Sequence, residues 1–212
     1  MKKICITGGI ACGKNRVGDK MRQLGAPVID ADDVCHELMR AGGPLVRRIV
    51  SAFGKTVLDG NGGIDRRVLG RIIFADAQKR EKLNALVHPA ARRAINAWFK
   101  ARGAFGRRTG ARALFAAALV PLAYEAGWDR GWDAMVCVAA PELLQVSRLR
   151  AKGFSAKEAR ARIAAQMPLA EKMSKADHVI FNAGTISGLH LQTALVFRNV
   201  KAKLERYNGR KK

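Results

Sequence analysis

Five short apolar runs stand out along the chain: Lys3–Thr7, Pro27–Asp30, Ala113–Val120, Ala134–Ala139 and His178–Asn182. Each is bounded by turn residues or charges, and none alternates strictly between apolar and polar positions. Strands buried on both faces of a parallel sheet read this way. Ala113–Val120 is rich in alanine; a strand is predicted there because Pro121 ends it and a helix-like stretch follows. Between the second and third runs the period changes. Val34 and Leu38, then Val46, Ile49, Val50 and Phe53, then Val68, Leu69, Ile72 and Ile73, then Leu83, Leu86 and Val87 recur at spacings of three and four, the mark of amphipathic helices. A crossover this long predicts an inserted helical lobe, residues 33–112. Leu143–Ala170 predicts a second helical stretch, interrupted at Gly153. The expected fold is therefore α/β. A parallel sheet flanked by helices is built from residues 1–32, 113–142 and 171–212, with the lobe at 33–112 and the further helical stretch at 143–170.

Composition adds limits to this picture. A chain of 212 residues that is 49% hydrophobic can bury one good core, with smaller lobes beside it. No apolar run approaches bilayer-spanning length. The run after Lys2 and Lys3 ends too soon, in glycines, to read as a signal peptide. The four cysteines, Cys5, Cys12, Cys35 and Cys137, are scattered without C-x-x-C spacing and read as reduced thiols of a cytoplasmic protein. The charge is extreme, 39 Lys+Arg against 17 Asp+Glu for a formal +22. Such a surface attracts polyanions, nucleic acid or small anionic substrates. Basic residues concentrate in Lys100–Arg112, Arg148–Arg162 and Arg198–Lys212. The first reads as a Gly/Arg loop over Ala101–Gly110, the last as a helical tail fraying at Asn208–Lys212. Aromatics are only 6% of the chain, and the loop and the tail hold no stacking set. A solvated basic surface is the better reading than a nucleic-acid groove. Nothing in the pattern sets an oligomeric state.

The chemistry concentrates near the N-terminus. A predicted strand runs into Gly8-Gly9-Ile10-Ala11-Cys12-Gly13-Lys14-Asn15-Arg16, and Lys14–Leu24 reads as a helix. Gly8 to Gly13-Lys14 has the spacing of G-x-x-x-x-G-K-[ST], in which loop N–H groups, a helix N-terminus and a lysine together bind polyphosphate. The competing reading is an ordinary glycine-rich turn, and the strand–helix context favours phosphate. Asn15 stands where Ser or Thr would supply a hydroxyl to Mg²⁺. Cys12 admits two readings: a thiol activated by Lys14 and the helix terminus, or a small buried residue. The second motif is Val28-Ile29-Asp30-Ala31-Asp32-Asp33, carboxylates just beyond a buried strand. Ligands of open α/β sheets bind at such strand ends. Asp30 and Asp32 are expected on one side of the pleat. Asp32 is the candidate general base, and Asp33 the candidate cap of the helix that follows.

These motifs, with Leu24-Gly25, Gly43-Pro44, Phe53-Gly54, Gly63-Ile64-Asp65-Arg66, Phe74, His88-Pro89, Pro121-Leu122 with Glu125, Gln145 with Arg148, Ala165-Gln166, and Ala176-Asp177-His178-Val179-Ile180 with Asn182, run nearly the whole chain. In them the chain resembles the bacterial dephospho-coenzyme A kinase family. The resemblance implies a P-loop kinase fold of the nucleotide-kinase kind. Its parts are an ATP-binding core, a helical lobe for the coenzyme A precursor and a helical lid. It implies transfer of the γ-phosphoryl of ATP to the ribose 3′-hydroxyl of dephospho-coenzyme A, the last step of coenzyme A biosynthesis, with Mg²⁺. Asp32 then falls on the proposed base, Lys14 on the lysine of the β,γ-phosphates and Arg148 on the lid arginine. Asp30, Asp32, Arg66 and His88 become candidate contacts to the acceptor, and Asn15 the candidate metal ligand. His88, before Pro89, reads equally as a structural residue at a helix kink, and Glu125 as a metal neighbour or a partner within its own helix.

The chain also departs from the family pattern. Ala11, Cys12 and Asn15 replace Gly, Ser and Ser/Thr; Lys152 stands for a second lid arginine, and Phe181 for an aspartate. Three readings follow: a working kinase, a nucleotide- or coenzyme A-binding pseudokinase with a degraded metal site, or a related small-molecule kinase.

Overall fold

The computed structural model describes residues 1–109 and 115–209. In chain order the elements are β1 (Lys2–Gly8), α1 (Lys14–Gln23), β2 (Val28–Asp30), α2 (Ala31–Met39), α3 (Val46–Phe53), a short 3₁₀ turn (Lys55–Val57), α4 (Arg66–Ala75), α5 (Ala77–Thr109), β3 (Phe115–Leu119), β4 (Ala134–Ala139), α6 (Glu142–Arg150), α7 (Ala156–Ala164), α8 (Leu169–Ser174), β5 (His178–Phe181) and α9 (Ile186–Gly209). All five predicted strands form, each within a residue or two of its expected bounds where described; Ala113 and Leu114 lie outside the described residues. They make one sheet in the order β2-β3-β1-β4-β5. β1 pairs in parallel with β3 and β4, and β4 in parallel with β5. β1 is thus central; the chain runs from it to β2 and β3 on one side and then crosses from β3 to β4 and β5 on the other. The glycine loop opens at the carboxyl end of β1, where crossovers diverge.

Burial explains why an alanine-rich run can be a strand. Every residue of β3 and β4 is buried. The small side chains of Ala116, Ala117 and Ala118 let flanking elements come close. On one face α1 approaches so tightly that a Cβ on Gly18 would lie 2.8 Å from Leu119. Phe115 and Phe197 of α9 meet with ring centroids 5.1 Å apart. At the edge of the sheet, Gln192 of α9 brackets Phe181: its Oε1 accepts from the Phe181 N–H at 2.9 Å and its Nε2 donates to the Phe181 carbonyl at 3.0 Å.

Three expectations about the extent of helices and loops fail. The Gly/Arg segment Ala101–Gly110 is not a loop: α5 runs through it to Thr109, and Gly110 lies outside the described residues. A glycine inside a helix costs only about 0.5–1 kcal/mol relative to alanine, too little to stop a helix already propagating. After Pro121 the chain makes successive turns, Ala126 N–H to the Leu122 carbonyl and Trp128 N–H to the Ala123 carbonyl, but no regular helix. At the other end, α9 includes Asn208 and Gly209, and residues 210–212 lie outside the description. The helical stretch at 143–170 does break at Gly153, which sits at φ 92° between α6 and α7. No helix among the described residues is long and apolar enough to cross a membrane.

The chain divides into two compact units. One comprises Met1–Ile29 with Arg102–Lys212, the other Asp30–Ala101. The first is the sheet and its helices, with a core that includes Ile4, Ile6, Val17, Met21, Val136 and Ile180. The second is helical, and Leu45, Ile49, Val57, Leu69, Leu83 and Val87 form its core. In α5, His88 lies half-buried between core residues Val87 and Ala90, one position before Pro89. Burial, and then Arg92, hold its imidazole below the ordinary histidine range.

The unfolded chain therefore takes up a proton at His88 at higher pH than the folded one. Stability falls as pH drops below the unfolded value of about 6.5. The thermal midpoint is expected to fall between pH 7.5 and 5.5, and to fall less in His88→Gln. His178 is shifted in the same direction, mainly by burial, and keeps part of the slope. Equal slopes in the two proteins, followed by circular dichroism, would remove His88 from the effect.

Candidate functional site

The loop between β1 and α1 is shaped by three tethers on its carbonyls. Lys14 Nζ, itself buried, donates to the carbonyls of Gly8 at 3.1 Å and Gly9 at 2.9 Å. Arg148 of α6 donates from Nη1 to the Ala11 carbonyl at 3.0 Å. Asn182, just past β5, donates from Nδ2 to the Cys12 carbonyl at 2.8 Å. Arg148 also donates from Nη2 to the Asn182 carbonyl at 3.4 Å. With its carbonyls engaged this way, the loop can turn N–H groups toward a ligand, except those of Ile10 and Cys12, which bond to Gln166 Oε1 and the Gly9 carbonyl. The first turn of α1 adds more, since those N–H groups have no intrahelical acceptor and no side chain caps them. An anion placed here would meet both N–H donors and the positive end of the helix dipole.

Two glycines make this geometry possible. Gly8 has φ 138°, and a Cβ there would lie 2.0 Å from the Val138 carbonyl oxygen on β4. Gly13 has φ 99°, and a Cβ there would lie 2.5 Å from Asn182 Nδ2, the group that tethers Cys12. Ala11, Gly13, Lys14, Asn15 and Arg16 line a cavity of about 600 Å³, closed on other sides by Arg148, Lys152, Asn182 and Ile186. Asn15 and Arg16 are exposed there. Among the described residues no group of three or more His, Cys, Asp or Glu side chains could hold a metal ion. Asn15 offers a neutral amide oxygen at the cavity wall, so an ion there would take most of its ligands from phosphate and water. Mg²⁺ is commonly held in that way.

The other predicted residues lie in the helical unit. Asp30, not Asp33, caps α2: its Oδ1 accepts from the Asp32 N–H at 2.9 Å. The helix begins at Ala31, so the strand pleat does not carry Asp32, which stands exposed in the first helical turn beside Asp33. Arg66 opens α4, whose cap is Asp65. Its Nη1 lies 3.2 Å from His36 Nδ1 on α2. Cys35 sits among these groups; burial first, then the Asp32 carboxylate, push its thiol up to about 11 despite Arg66. Asp30, Asp32, His36 and Arg66 thus gather around one turn of α2, whereas His88 belongs to α5 and its core. His36 was not singled out in the sequence, because nothing at the sequence level pairs a histidine on one helix with an arginine thirty residues later. Asn182 and Gln166 also matter more than sequence reasoning gave them. Their importance depends on the fold bringing the end of β5 and the segment between α7 and α8 beside the loop.

Cys12 resolves against activation. Its side chain is buried, and desolvation raises its pKa more than Lys14, the backbone contacts and Arg148 lower it. It is the small buried residue of the two readings. Glu125 pairs outside its own turn: Oε1 lies 2.6 Å from Lys172 Nζ and accepts from the Met167 N–H at 3.0 Å.

Among the described residues Ala11 is the only non-glycine with positive φ, 56°. The left-handed region costs an alanine about 1–2 kcal/mol, while glycine loses about 0.5–1 kcal/mol more on folding. Ala11→Gly should leave stability unchanged or raise it by up to about 1.5 kcal/mol, read from urea midpoints. A clear loss would mean that the Ala11 methyl makes packing contacts worth more than the backbone strain.

Against this geometry stand the comparisons with known proteins. The model of the dephospho-CoA kinase family matches residues 3–188. The dephospho-CoA kinase of Geobacillus kaustophilus is 45% identical over 183 residues, 86% of this chain and 88% of that one. That of Symbiobacterium thermophilum is 43% identical over 199 residues, 93% of this chain and 81% of its own. Among solved structures, TT1252 from Thermus thermophilus superposes with a TM-score of 0.74 at 33% identity, covering 96% of this chain and 97% of that one. The dephospho-CoA kinase from Campylobacter jejuni gives 0.67 at 25% identity, covering 94% and 98%. Fold, loop and relatives agree, and the chain belongs to the dephospho-CoA kinase family.

Proposed function

We propose that the chain transfers the γ-phosphoryl group of ATP to the ribose 3′-hydroxyl of dephospho-coenzyme A. The observation that carries this reading is the loop after β1. Lys14, Arg148 and Asn182 hold its carbonyls, and the residues from Ala11 to Arg16, except Cys12, line the cavity beside it. Gly8–Arg16 cradles the triphosphate. Lys14 turns from the loop carbonyls to the β,γ-phosphates and offsets charge that develops between them. Arg148, already 3.0 Å from the loop, stabilises the transferred group from the lid side. Asp32 takes the proton from the acceptor hydroxyl. Asp30 fixes the turn that presents Asp32, and Arg66 with His36 binds the acidic acceptor in the helical lobe. His88 serves the core of that lobe. Asn15 would hold Mg²⁺, which when bound neutralises phosphate charge. The relatives it matches are named as kinases, and a degraded site gains nothing from them. The free thiols suit a reducing, cytoplasmic compartment.

A coupled assay with ATP, Mg²⁺ and dephospho-coenzyme A tests the proposal, with turnover expected. Lys14→Ala should abolish turnover while the circular dichroism spectrum is kept. Asp32→Asn should lower kcat by roughly 10²-fold or more with the KM for ATP nearly unchanged. Activity within a few-fold of wild type would make Asp32 a structural residue. Asn15→Ser should lower the Mg²⁺ concentration needed for half-maximal rate. If it lowers turnover instead, the site is built for the amide.

A further inference from the structure

Among the described residues Lys172 is the largest side chain that is wholly buried, at 0% exposure. Lysine is almost never buried so fully without a partner. Its partner is Glu125: Nζ lies 2.6 Å from Oε1. The contact is close in distance, but its alignment falls short of a hydrogen bond. What joins the two groups is therefore charge. Lys172 gives up its water for this contact while the Glu125 side chain stays 22% exposed, so such a pair gains little stability over an apolar side chain at 172. Stability alone gives weak reason to keep one, so its surroundings matter. The same Glu125 Oε1 accepts from the Met167 N–H at 3.0 Å. The preceding residue, Gln166, places its own Oε1 3.0 Å from the N–H of Ile10, in the glycine loop. Leu169, two residues on, reaches back to Gly9, where a Cβ would lie 3.4 Å from its Cδ1. Segment 166–172 is therefore pinned at one end by a charge pair whose lysine is wholly buried, and touches the loop at the other.

We infer that Lys172 and Glu125 are positioning residues for the phosphate loop. Their pair fixes Met167, and so holds the Gln166 side chain against the Ile10 N–H. The inference rests on reading Gly8–Arg16 as the ATP loop, and it extends that reading. Gln166 occupies the first N–H after the two glycines, which sets the peptide plane between Gly9 and Ile10. The next residue, Ala11, is held at φ 56°, a conformation that its own side chain does not favour. A strained backbone persists where its neighbours over-determine it, and the Gln166 contact is one such constraint. The charge pair acts on ATP only through this contact.

The test reads the loop directly and without nucleotide. Amide hydrogen exchange at Ile10, followed by NMR, should speed up by roughly fivefold or more in Gln166→Ala, the scale of one hydrogen bond. Lys172→Met should produce a similar acceleration at Ile10 while Ile4 and Ile6 in β1 keep their wild-type rates. In Gln166→Ala/Lys172→Met exchange should be no faster than in Gln166→Ala. The KM for ATP should rise in each variant, and the KM for dephospho-coenzyme A should not. If Lys172→Met does not fold, Lys172→Met/Glu125→Gln, which removes both charges, replaces it with the same expectation. Unchanged exchange at Ile10 when the pair is broken overturns the inference, as does faster exchange with an unchanged KM for ATP. Neither outcome touches the phosphate-loop reading, which Lys14→Ala tests separately.

Discussion

A neutral backbone can hold a polyanion only if the carbonyl half of each peptide unit is turned away from it. In this chain Lys14 acts from within the motif, and the other tethers come from distant places: Arg148 from α6, and Asn182 from the end of β5. Each tether requires its own element to be in place. Arg148 needs α6 beyond β4, and Asn182 needs β5 paired beside β4, with its N–H bonded to the Ala139 carbonyl. The parallel sheet order is thus a precondition for the loop. The close approaches at Gly8 and Gly13 follow from it, because Val138 and Asn182 occupy the space that side chains there would need.

The strands were legible in the sequence because burial on both faces leaves a simple mark: short, unbroken apolar runs ending in turns or charge. The loop was legible because its chemistry is local, with glycines, lysine and strand–helix flanks within one stretch. What was not legible depends on distance in the chain. The cap of α2 is a case at short range: Asp30, Asp32 and Asp33 are alike in sequence, and only the point where the backbone turns helical makes Asp30 the acceptor. Cys12 shows the same limit in electrostatics. Its neighbours favour thiolate, but the sequence does not reveal burial, and burial decides.

The Gly/Arg segment shows how a sound compositional rule is outweighed. Gly103 and Gly106 weaken a helix locally, yet α5 passes through them because propagation is cheap once a helix exists. The basic residues of that segment are correspondingly strung along a helix and not gathered in a loop. Elsewhere, Arg148 lines the cavity beside the loop and Arg66 lies beside His36.

Gln192 has a consequence of another kind. β5 ends the sheet, and Val179 and Phe181 on it are exposed and apolar. An unfinished edge of this sort can template pairing with a strand from another molecule. The glutamine's amide matches the hydrogen-bonding pattern of a peptide group, and it engages both the N–H and the carbonyl of Phe181. It acts as a one-residue imitation of a sixth strand. The last rung of the sheet is already occupied from within the chain, which guards a concentrated solution against edge-to-edge association without placing a charge in the strand.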